Sequence, residues 1–412
     1  MNKALEIFLG ILTAMGGFVE IGELVFTVNA GVKFGFRLMW VVALGTLGII
    51  VYGEMSGRIA AVTKKPVFVL IRERIGYKAG LGTLIAANIV NLMTCTAEIG
   101  GVALILKLLF GGNYYLLIVV AGLFLMAAVW FLTLEWIERV FGLLGLMMVV
   151  FLAAAVYHHP DWNQVAAGFI PGIPQVETSN DYYLYAYFCV ALMSSIMLPY
   201  ETYFYASGAI EDKWTAKDII LNRIIVIIGF VLGSLLATSL VIAGAQVFAP
   251  ALIEPQLPGT AALAASIVFS KTGLLLALLG MFFAFGGAAI ETALSSAYNL
   301  AQFVGWPWGK MKEPLKVPKF TASWVTVMAL ATLIILTGLD PVEVVEYSII
   351  FAVVILPLTY FPILMAGNDA KEMREHVNGV VAKSLGWFFF VLVTLAGLAA
   401  IPLLVITHGG KG

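Results

Sequence analysis

Two carboxylates, Glu20 and Glu23, lie three residues apart inside an otherwise apolar stretch near the start of the chain. No Lys or Arg occurs between Lys3 and Lys33. On a helix this spacing places both side chains on one face, with their Cβ atoms about 5 to 6 Å apart. Ionisable groups at membrane depth are costly and mark substrate or ion pathways. Such a pair must share a proton or a cation, unless Glu23 lies close to the outer water and is solvated.

A third carboxylate, Glu201, follows Pro199 in a later apolar stretch. Proline has no backbone N–H and interrupts a helix. Irregular backbone at membrane depth is tolerated only where it is buried in protein or lines a water-filled cavity. We therefore expect Glu201 to face a cavity, and the alternative is a loop acid close to the lipid headgroups.

A stripe of polar residues follows one helical face of the third apolar stretch, spaced three, four and three residues apart: Asn88, Asn91, Cys95 and Glu98. Such a stripe could relay protons or line a vestibule. For the two asparagines the alternative is hydrogen bonding between helices, for which membrane proteins commonly use Asn side chains. Glu291 is a further acid inside an apolar stretch, and its role is the one that the sequence determines least.

The elements that must position these residues are membrane-spanning helices. Of the 412 residues, 61% are hydrophobic and only 11% are charged, whereas soluble domains average about 25% charged. Apolar stretches of roughly 20 residues, the length that crosses a bilayer core, recur along the whole chain. We predict an all-α polytopic membrane protein with about eleven transmembrane helices, at approximately 6–28, 38–60, 78–109, 115–135, 139–158, 182–209, 218–247, 272–304, 319–338, 341–366 and 384–407.

The basic residues predict the orientation, because cytoplasmic loops carry the excess of Lys and Arg. Placing the N-terminus inside puts 18 of the 23 basic residues on the cytoplasmic side. An odd number of spans then puts the C-terminus outside. The first stretch contains acids and no convincing small-residue cleavage site, so we interpret it as a retained helix and not as a signal peptide. No linker divides the chain, which predicts a single transmembrane domain over residues 1–412.

The charges inside the spans indicate what kind of ligand fits. Glu20, Glu23, Glu98, Glu201 and Glu291 all lie within spans and no Lys or Arg lies well inside one, so the interior attracts cations. Carboxylate, carbonyl and water oxygens suit Mg²⁺, Ca²⁺ and Mn²⁺, and the four His residues lie in loops, at a span end or near the C-terminus. The two cysteines support neither a disulfide framework nor a thiolate metal cluster. Because there is no HExxH motif, phosphate-binding glycine loop or nucleophile paired with His, we predict that the protein is not an enzyme.

Helix-breaking residues indicate an internal repeat. The first span is interrupted at Gly16-Gly17 and around Gly22, and the sixth at residues 198–201. Discontinuous helices at matching places in two halves point to a binding site near the membrane midplane. We predict a five-plus-five inverted repeat, with repeat 1 at about 6–158, repeat 2 at about 182–366 and an extra helix at about 384–407.

These motifs resemble the Nramp family of divalent-metal transporters over most of the chain. The family carries Asp-Pro-Gly-Asn in its first helix, where this chain has Glu20-Ile21-Gly22-Glu23. The other matching segments are Ala30-Gly31-Val32-Lys33-Phe34-Gly35-Phe36, Ala97-Glu98-Ile99-Gly100, Glu138-Arg139-Val140-Phe141-Gly142-Leu143-Leu144 and Pro199. The resemblance implies the LeuT-like fold of the APC superfamily, with eleven helices, the N-terminus inside, and alternating access around a midplane site.

Carried over residue by residue, the resemblance implies a more acidic site than the family's. The metal-binding Asp of the first motif falls on Glu20, and the Asn falls on Glu23, which adds a charge. In the sixth helix Ser195 and Leu198 take the places of the family's Ala and Met, and Tyr200 that of its His. The thioether that favours transition metals is therefore missing. The family's proton route is altered as well, because its Asp in the third helix is replaced here by Cys and the ninth span lacks the usual arginines.

We predict a secondary transporter of the cell inner (plasma) membrane that moves a cation, with the hard divalent ions Mg²⁺ and Mn²⁺ favoured, by alternating access between broken helices 1 and 6. The predicted metal ligands are Glu20, Glu23 and Glu201. The substrate site further includes Ser195, Leu198 and Tyr200. The residues predicted for a proton pathway or vestibule are Glu98, Glu291 and Asn91. The expected partners are the small cation and the lipid bilayer, with no cofactor beyond the transported ions, no nucleic acid and no obligate protein partner.

One alternative is a proton-coupled transporter of a non-metal substrate on the same fold, such as an organic cation or an amine. Tyr200, Tyr203 and Tyr205 would then offer aromatic faces for cation–π contacts. A second alternative is a sensor or receptor on the same fold that transports nothing.

Overall fold

The computed structural model describes Ile11, residues 20–172 and residues 179–410. Every regular element in those ranges is a helix. Ten helices within them are long and apolar enough to cross a membrane, and they coincide with predicted spans 2 to 11. The first predicted span is described continuously only from Glu20 onward, so the predicted break at Gly16-Gly17 lies outside the described residues.

The first half of the described chain contains seven helices. Their bounds are α1 Ile21–Phe34, α2 Met39–Thr63, α3 Val67–Ile75, α4 Tyr77–Phe110, α5 Tyr114–Phe131, α6 Leu134–Tyr157 and α7 Trp162–Ala167. Helix α6 departs from α-helical geometry at a π-helical turn, Glu138–Gly142, and at a 3-10 turn, Leu146–Met148. The first of these turns lies in the segment that resembles the family motif.

The second half contains eight helices. Their bounds are α8 Ser179–Ile196, α9 Pro199–Glu211, α10 Ile219–Ala243, α11 Pro258–Val304, α12 Pro318–Ile335, α13 Pro341–Gly367, α14 Ala370–Met373 and α15 Val380–Ile406. Helix α11 consists of two helices joined at a kink, because Phe269 and Ser270 have non-helical dihedral angles. Only its second part corresponds to predicted span 8.

Helix α3 occupies the gap between predicted spans 2 and 3 and was not predicted. Its nine residues include two arginines near its end, so it lacks the long apolar stretch that identifies a membrane span. It forms because Phe68, Leu70 and Ile71 are buried on one side of it. Tertiary packing of a short amphipathic segment, more than its own helix propensity, stabilises such a helix.

Non-helical residues lie at or beside both predicted interruptions near the acids, although Gly22 itself is inside α1. Glu20 is extended, with φ −114° and ψ 173°, and α1 begins at the next residue. Helix α8 ends at Ile196, Leu198 is again non-helical, and α9 begins at Pro199. Proline favours the first helical position because its φ angle suits a helix and its missing N–H would be unpaired there in any case. The sequence therefore breaks the sixth span at the predicted place. The inverted relation between the two halves stays a prediction.

Helix α1 is held in place by a close contact with α10. A methyl group on Gly31 would lie 2.1 Å from the carbonyl oxygen of Val241, and one on Gly244 would lie 2.1 Å from the carbonyl oxygen of Val28. Small residues let helix backbones approach this closely in membrane proteins. The glycines therefore fix the distance between α1 and α10.

A cluster of polar contacts joins α2, α10 and the segment after α14 on the side predicted to be cytoplasmic. The Glu54 carboxylate accepts three hydrogen bonds from Arg58, at 2.9, 3.1 and 3.0 Å, and one from Arg223 at 3.1 Å. Arg58 also donates to Oδ1 of Asn378 at 2.6 Å and to the carbonyl oxygen of His376. Arg58 is buried, so its whole guanidinium is used in these contacts.

A second ionic cluster lies on the same side, between α3 and the start of α14. Arg74 contacts Asp369 at 2.8 Å and Glu372 at 3.0 Å, and Lys65 contacts Glu73 at 2.8 Å and Glu372 at 3.2 Å. The hydrogen bond from Arg74 holds the pKa of Asp369 below its usual value. The carboxylate therefore stays ionised at neutral pH, and the two clusters join α2, α3, α10 and the segment around α14 on the side predicted to be cytoplasmic.

Replacing Arg58 with lysine is expected to destabilise the protein by about 2 kcal/mol, because lysine keeps the charge but loses the planar fork of donors. The measurement is unfolding by SDS titration in mixed micelles. The control is Lys316→Gln, since Lys316 pairs with Glu313 only at the surface, and its loss should change stability by about 0.5 kcal/mol or less. Equal unfolding midpoints for both variants would contradict the role given to the Arg58 contacts.

Candidate cation site at the two helix breaks

The two helix breaks meet through Glu20 and Tyr200. Glu20 is fully buried and is the residue immediately before α1. Its Oε2 accepts a hydrogen bond from the Tyr200 hydroxyl at 3.4 Å, and its Oε1 has no hydrogen-bond partner. Tyr200 is the second residue of α9 and is also buried. The structure thus brings together two predicted site residues that are 180 positions apart.

Glu98 reaches the same place from α4. Its Oε1 accepts the backbone N–H of Ile21 at 2.9 Å, and its Oε2 is buried without a partner. The first amides of a helix have no partner inside it, and neither Glu20 nor another cap residue binds them here with its side chain. Glu98 therefore completes the start of α1. Sequence reasoning placed Glu98 in a proton pathway or vestibule and missed this contact, and the unpaired amide expected after a helix break was the signal that could have found it.

Glu23 and Glu201 occupy equivalent places in the two broken helices. Each is the third residue of its helix, α1 or α9. Both are buried, and none of their four carboxylate oxygens has a hydrogen-bond partner. Their burial excludes the alternatives that Glu23 is solvated and that Glu201 is a loop acid at the headgroups. An acid in the first turn is stabilised by the positive end of the helix dipole, which offsets only part of the cost of burying a charge.

The acids at the breaks influence one another through their charges. Glu23 interacts electrostatically with Glu201 and Glu20, and Glu201 interacts with Glu291 and Glu20. Within the described residues, however, no three His, Cys, Asp or Glu side chains are grouped closely enough to bind one metal ion. Joint coordination of an ion by Glu20, Glu23 and Glu201 stays a prediction.

The carbonyl groups at the second break, between α8 and α9, differ in whether a hydrogen bond already occupies them. The Ser195 hydroxyl donates to the carbonyl oxygen of Leu192 at 3.0 Å, so the side chain is used within α8. Pro199 cannot donate to the carbonyl of Ser195, four residues earlier, because it has no N–H. The carbonyl of Met197 accepts from the Tyr360 hydroxyl at 3.3 Å. Coordination by the carbonyls near Ser195 and Leu198 stays a prediction.

The Met197 side chain packs into a notch in α2. A methyl group on Gly48 would lie 2.5 Å from Cε and 2.6 Å from Sδ of Met197. The thioether is therefore a packing group in the core, which is the usual role of a lone Met. Oxygen atoms are the ligands that the two breaks present.

The two asparagines of the polar stripe differ. The Asn88 amide donates to the carbonyl oxygen of Ser296 at 3.4 Å and accepts from Asn299 at 3.3 Å, so it joins α4 to α11. Asn91 is buried, and neither its Nδ2 nor its Oδ1 has a partner. Hydrogen bonding between helices thus explains Asn88 but not Asn91. Glu291 is half-buried on α11 and lies close enough to Glu201 for their charges to interact.

The three tyrosines near the second break do not form one aromatic site. The Tyr203 hydroxyl is bonded to Thr359 and its ring packs edge-on against Phe68. The Tyr205 hydroxyl donates to Asn222 at 2.8 Å, and its ring packs against Trp214. Since these two rings are occupied by neighbours, the geometry does not favour a cation–π site for an organic cation.

A cavity of about 320 Å³ opens beside α1 on the side predicted to be external. Val25, Phe26 and Asn29 line it, one to two turns beyond Glu23 along the same helix. The charged residues at its walls are mainly acidic: Lys33, Glu254, Asp340, Glu343 and Glu346. Acidic walls raise the local concentration of cations. The cavity is therefore suited to lead a cation toward the two breaks.

Comparison with known proteins identifies the family of this chain. The family model described as "Natural resistance-associated macrophage protein-like" (Nramp) matches residues 10–402. The chain belongs to the Nramp family. A curated Nramp relative, the divalent metal cation transporter MntH of Levilactobacillus brevis, is 23% identical over 422 residues, which cover 94% of this chain and 87% of the relative. Because Nramp proteins are membrane transporters, this chain is a multi-pass membrane transporter and not an enzyme.

Solved structures confirm the fold that the Nramp resemblance implied. The Eremococcus coleocola manganese transporter, in complex with an aromatic bis-isothiourea substituted compound, superposes with a TM-score of 0.77 at 20% identity, over 98% of this chain and 87% of that one. MhsT in complex with L-phenylalanine superposes with a TM-score of 0.60 at 16% identity, over 96% and 98% of the two chains. The Nramp chain thus has the LeuT-like architecture.

Proposed function

We propose that this Nramp-family chain is a secondary transporter of a hard divalent cation, with Mg²⁺ and Mn²⁺ as its candidate substrates. Transport would follow alternating access through a site between the breaks that precede α1 and α9. The observation that carries the proposal is the set of buried carboxylate oxygens without partners at the adjoining breaks, on Glu20, Glu23 and Glu201. A divalent cation is the ligand that would compensate several buried negative charges at once.

The donor atoms support a hard ion. Carboxylate and carbonyl oxygens are the ligands that Mg²⁺ and Mn²⁺ prefer, and Met197, the one thioether at the break, packs against Gly48 instead. MntH of Levilactobacillus brevis is a divalent metal cation transporter, and the E. coleocola protein is a manganese transporter. No resident cofactor or protein partner is needed for this activity, and the partners that we propose are the cation and the lipid bilayer.

The conformation supports a route for the ion. The acidic cavity beside α1 lies on the side predicted to be external, while the Arg58 and Arg74 clusters connect helices on the opposite side. A cation entering the cavity would offset the repulsion among Glu20, Glu23 and Glu201 and allow the three carboxylates to approach it together. Release on the cytoplasmic side would then require the two ionic clusters to separate.

The test is uptake by purified protein in proteoliposomes. Mn²⁺, Mg²⁺ and Ca²⁺ are offered separately, with and without an imposed pH gradient, and ethylammonium is offered as an organic cation. We expect saturable uptake of Mn²⁺ or Mg²⁺ and none of ethylammonium. If ethylammonium enters and no divalent ion does, the organic-cation alternative replaces the proposal. If none of the four cations is transported and none binds in calorimetry, the sensor alternative replaces the proposal.

A further inference from the structure

The interface between α4 and α11 contains buried polar side chains that lack hydrogen-bond partners. On α4 these are both amide atoms of Asn91, and on α11 they include the hydroxyls of Ser295 and Ser296 and Oδ1 of Asn299. All four side chains are at most 1% exposed. Buried polar groups in proteins nearly always have a partner, either protein or ordered water. The missing partners therefore require an explanation.

The packing register places these groups beside one another. Asn88 binds the carbonyl of Ser296 at 3.4 Å, and Cys95, two turns along α4, binds the carbonyl of Ala289 at 3.5 Å. The two helices thus run antiparallel, and Asn91 lies opposite the α11 segment from about Thr292 to Ser296. The Thr292 hydroxyl bonds within its own helix, to Ala288 at 2.8 Å, so it does not satisfy Asn91.

Polar residues continue from this interface in both directions. Toward the helix breaks, Cys95 interacts with Glu98, whose Oε2 is without a partner. Toward the side predicted to be cytoplasmic, Gln302 donates to the Ser207 hydroxyl at 2.8 Å. At the end of α9, the Glu211 carboxylate accepts from the Tyr298 hydroxyl and from the backbone N–H of Lys310 at 2.7 Å. The polar set therefore reaches from the candidate cation site to the cytoplasmic ends of α9 and α11.

The contact of α4 with α12 offers no comparable route. The buried residues of α12, which packs there, are apolar except for one threonine: Phe320, Thr321, Trp324, Met328, Ala331 and Ile335. Thr321 is itself bonded to the carbonyl of Pro314 at 2.7 Å. Because this span also lacks arginines, the contact between α4 and α12 contains no charged or unpaired polar side chain among these buried residues.

We infer that ordered water fills the α4–α11 interface around Asn91, Ser295 and Ser296 and conducts protons between Glu98 and the cytoplasmic side. Buried waters typically make about three hydrogen bonds to polar groups that would otherwise lack partners, and chains of such bonds strengthen one another. This inference rests on the proposed function for its role in transport. The water itself is inferred from the unpaired groups alone.

The proton balance of the route is simple. The Glu98 carboxyl releases a proton to the nearest water, and the last water releases one to the cytoplasm, so the chain of waters is unchanged. Asn91 and the serine hydroxyls orient water and keep their own protons. The titratable groups that we place along the route are Glu20, which immediately precedes α1, Glu98 of α4, Glu201 and Glu211 of α9, and Glu291 of α11. Their charges set its dependence on pH.

The test uses Asn91→Leu, which removes both water-binding atoms at similar volume, and Ser295→Ala combined with Ser296→Ala. Proteoliposomes contain a pH-sensitive dye and carry an imposed pH gradient with valinomycin, first without and then with external Mn²⁺. We expect proton flux to fall about tenfold in either variant, equivalent to roughly 1.4 kcal/mol. The dissociation constant for Mn²⁺ in calorimetry should change by about twofold or less. Thr321→Val, which changes a buried residue of α12, is the control and should leave proton flux unchanged.

The outcomes separate this inference from the proposed function. Proton flux unchanged in both variants overturns the route. A wild-type protein that takes up Mn²⁺ but carries no protons under either condition also overturns it and leaves the proposed function intact. Proton flux that depends on Asn91 in a protein that moves no divalent ion supports the route and refutes the proposed function. If Asn91→Leu fails to fold, the serine variant, with its smaller change in volume, decides.

Discussion

Replacing Glu20 with glutamine is expected to abolish the stabilisation of the protein by Mn²⁺ without lowering the melting temperature of the metal-free protein. Glutamine has the same shape and keeps an acceptor for the Tyr200 hydroxyl, but it removes one of the repelling charges at the breaks. Removing a buried charge that has no partner does not lower the stability of the metal-free protein. A cation, in contrast, loses a charged ligand, and we expect its affinity to fall about 100-fold, or roughly 2.8 kcal/mol.

Melting curves with and without Mn²⁺, together with calorimetry, measure both effects on the same samples. Glu313→Gln is the control, because this residue lies at the surface and pairs with Lys316 in solvent. It should melt and bind like the wild type. A Glu20→Gln protein that is still stabilised by Mn²⁺ as strongly as the wild type would show that the ion binds elsewhere.

Replacing Gly31 with alanine is expected to cause the largest loss of stability of any single methyl addition in α1. The added methyl would lie 2.1 Å from the backbone carbonyl oxygen of Val241 and 3.0 Å from the backbone of Gly244. Backbone atoms cannot rotate away as a side chain does, so α1 and α10 must separate. Overpacking of a well-packed core costs about 1 to 3 kcal/mol, and we expect about 3 kcal/mol here.

The unfolding midpoint in SDS titration provides the measurement, and Gly208→Ala provides the control. Gly208 also lies inside a helix, α9, but no atom lies within 4 Å of the position of an added methyl group. Alanine there should be neutral or stabilising by about 0.5 to 1 kcal/mol, the usual gain of replacing a helical glycine. Similar midpoints for the two variants would show that the contact between α1 and α10 has room to adjust.

Much of the fold could be predicted because hydropathy reports the membrane directly. A stretch such as 341–366 is apolar over the length of a bilayer, and the helix observed there is Pro341–Gly367. Helix α3 was not predicted because it is short and is stabilised by the burial of a few residues, without a long apolar pattern. The kink that divides α11 at Ser270 was not predicted because no proline lies at it.

The site could be predicted in part for a related reason. Charges inside apolar spans are visible in the sequence, so Glu20, Glu23 and Glu201 were found directly. The contact of Glu98 with Ile21 was not, because the two residues are 77 positions apart and meet only through the packing of α4 against α1. The contrast between Asn88 and Asn91 depends on the register with α11 in the same way.

The matching positions of Glu23 and Glu201 have a consequence for the transport cycle. Each acid lies in the first turn of its own helix, where it offsets the positive end of that helix. The compensation takes place inside each helix and does not depend on the distance between α1 and α9. When the two helices move apart or together, the local potential of each keeps its sign. A cation would therefore meet the same sign of local potential at each of these two acids in the outward-open and in the inward-open form.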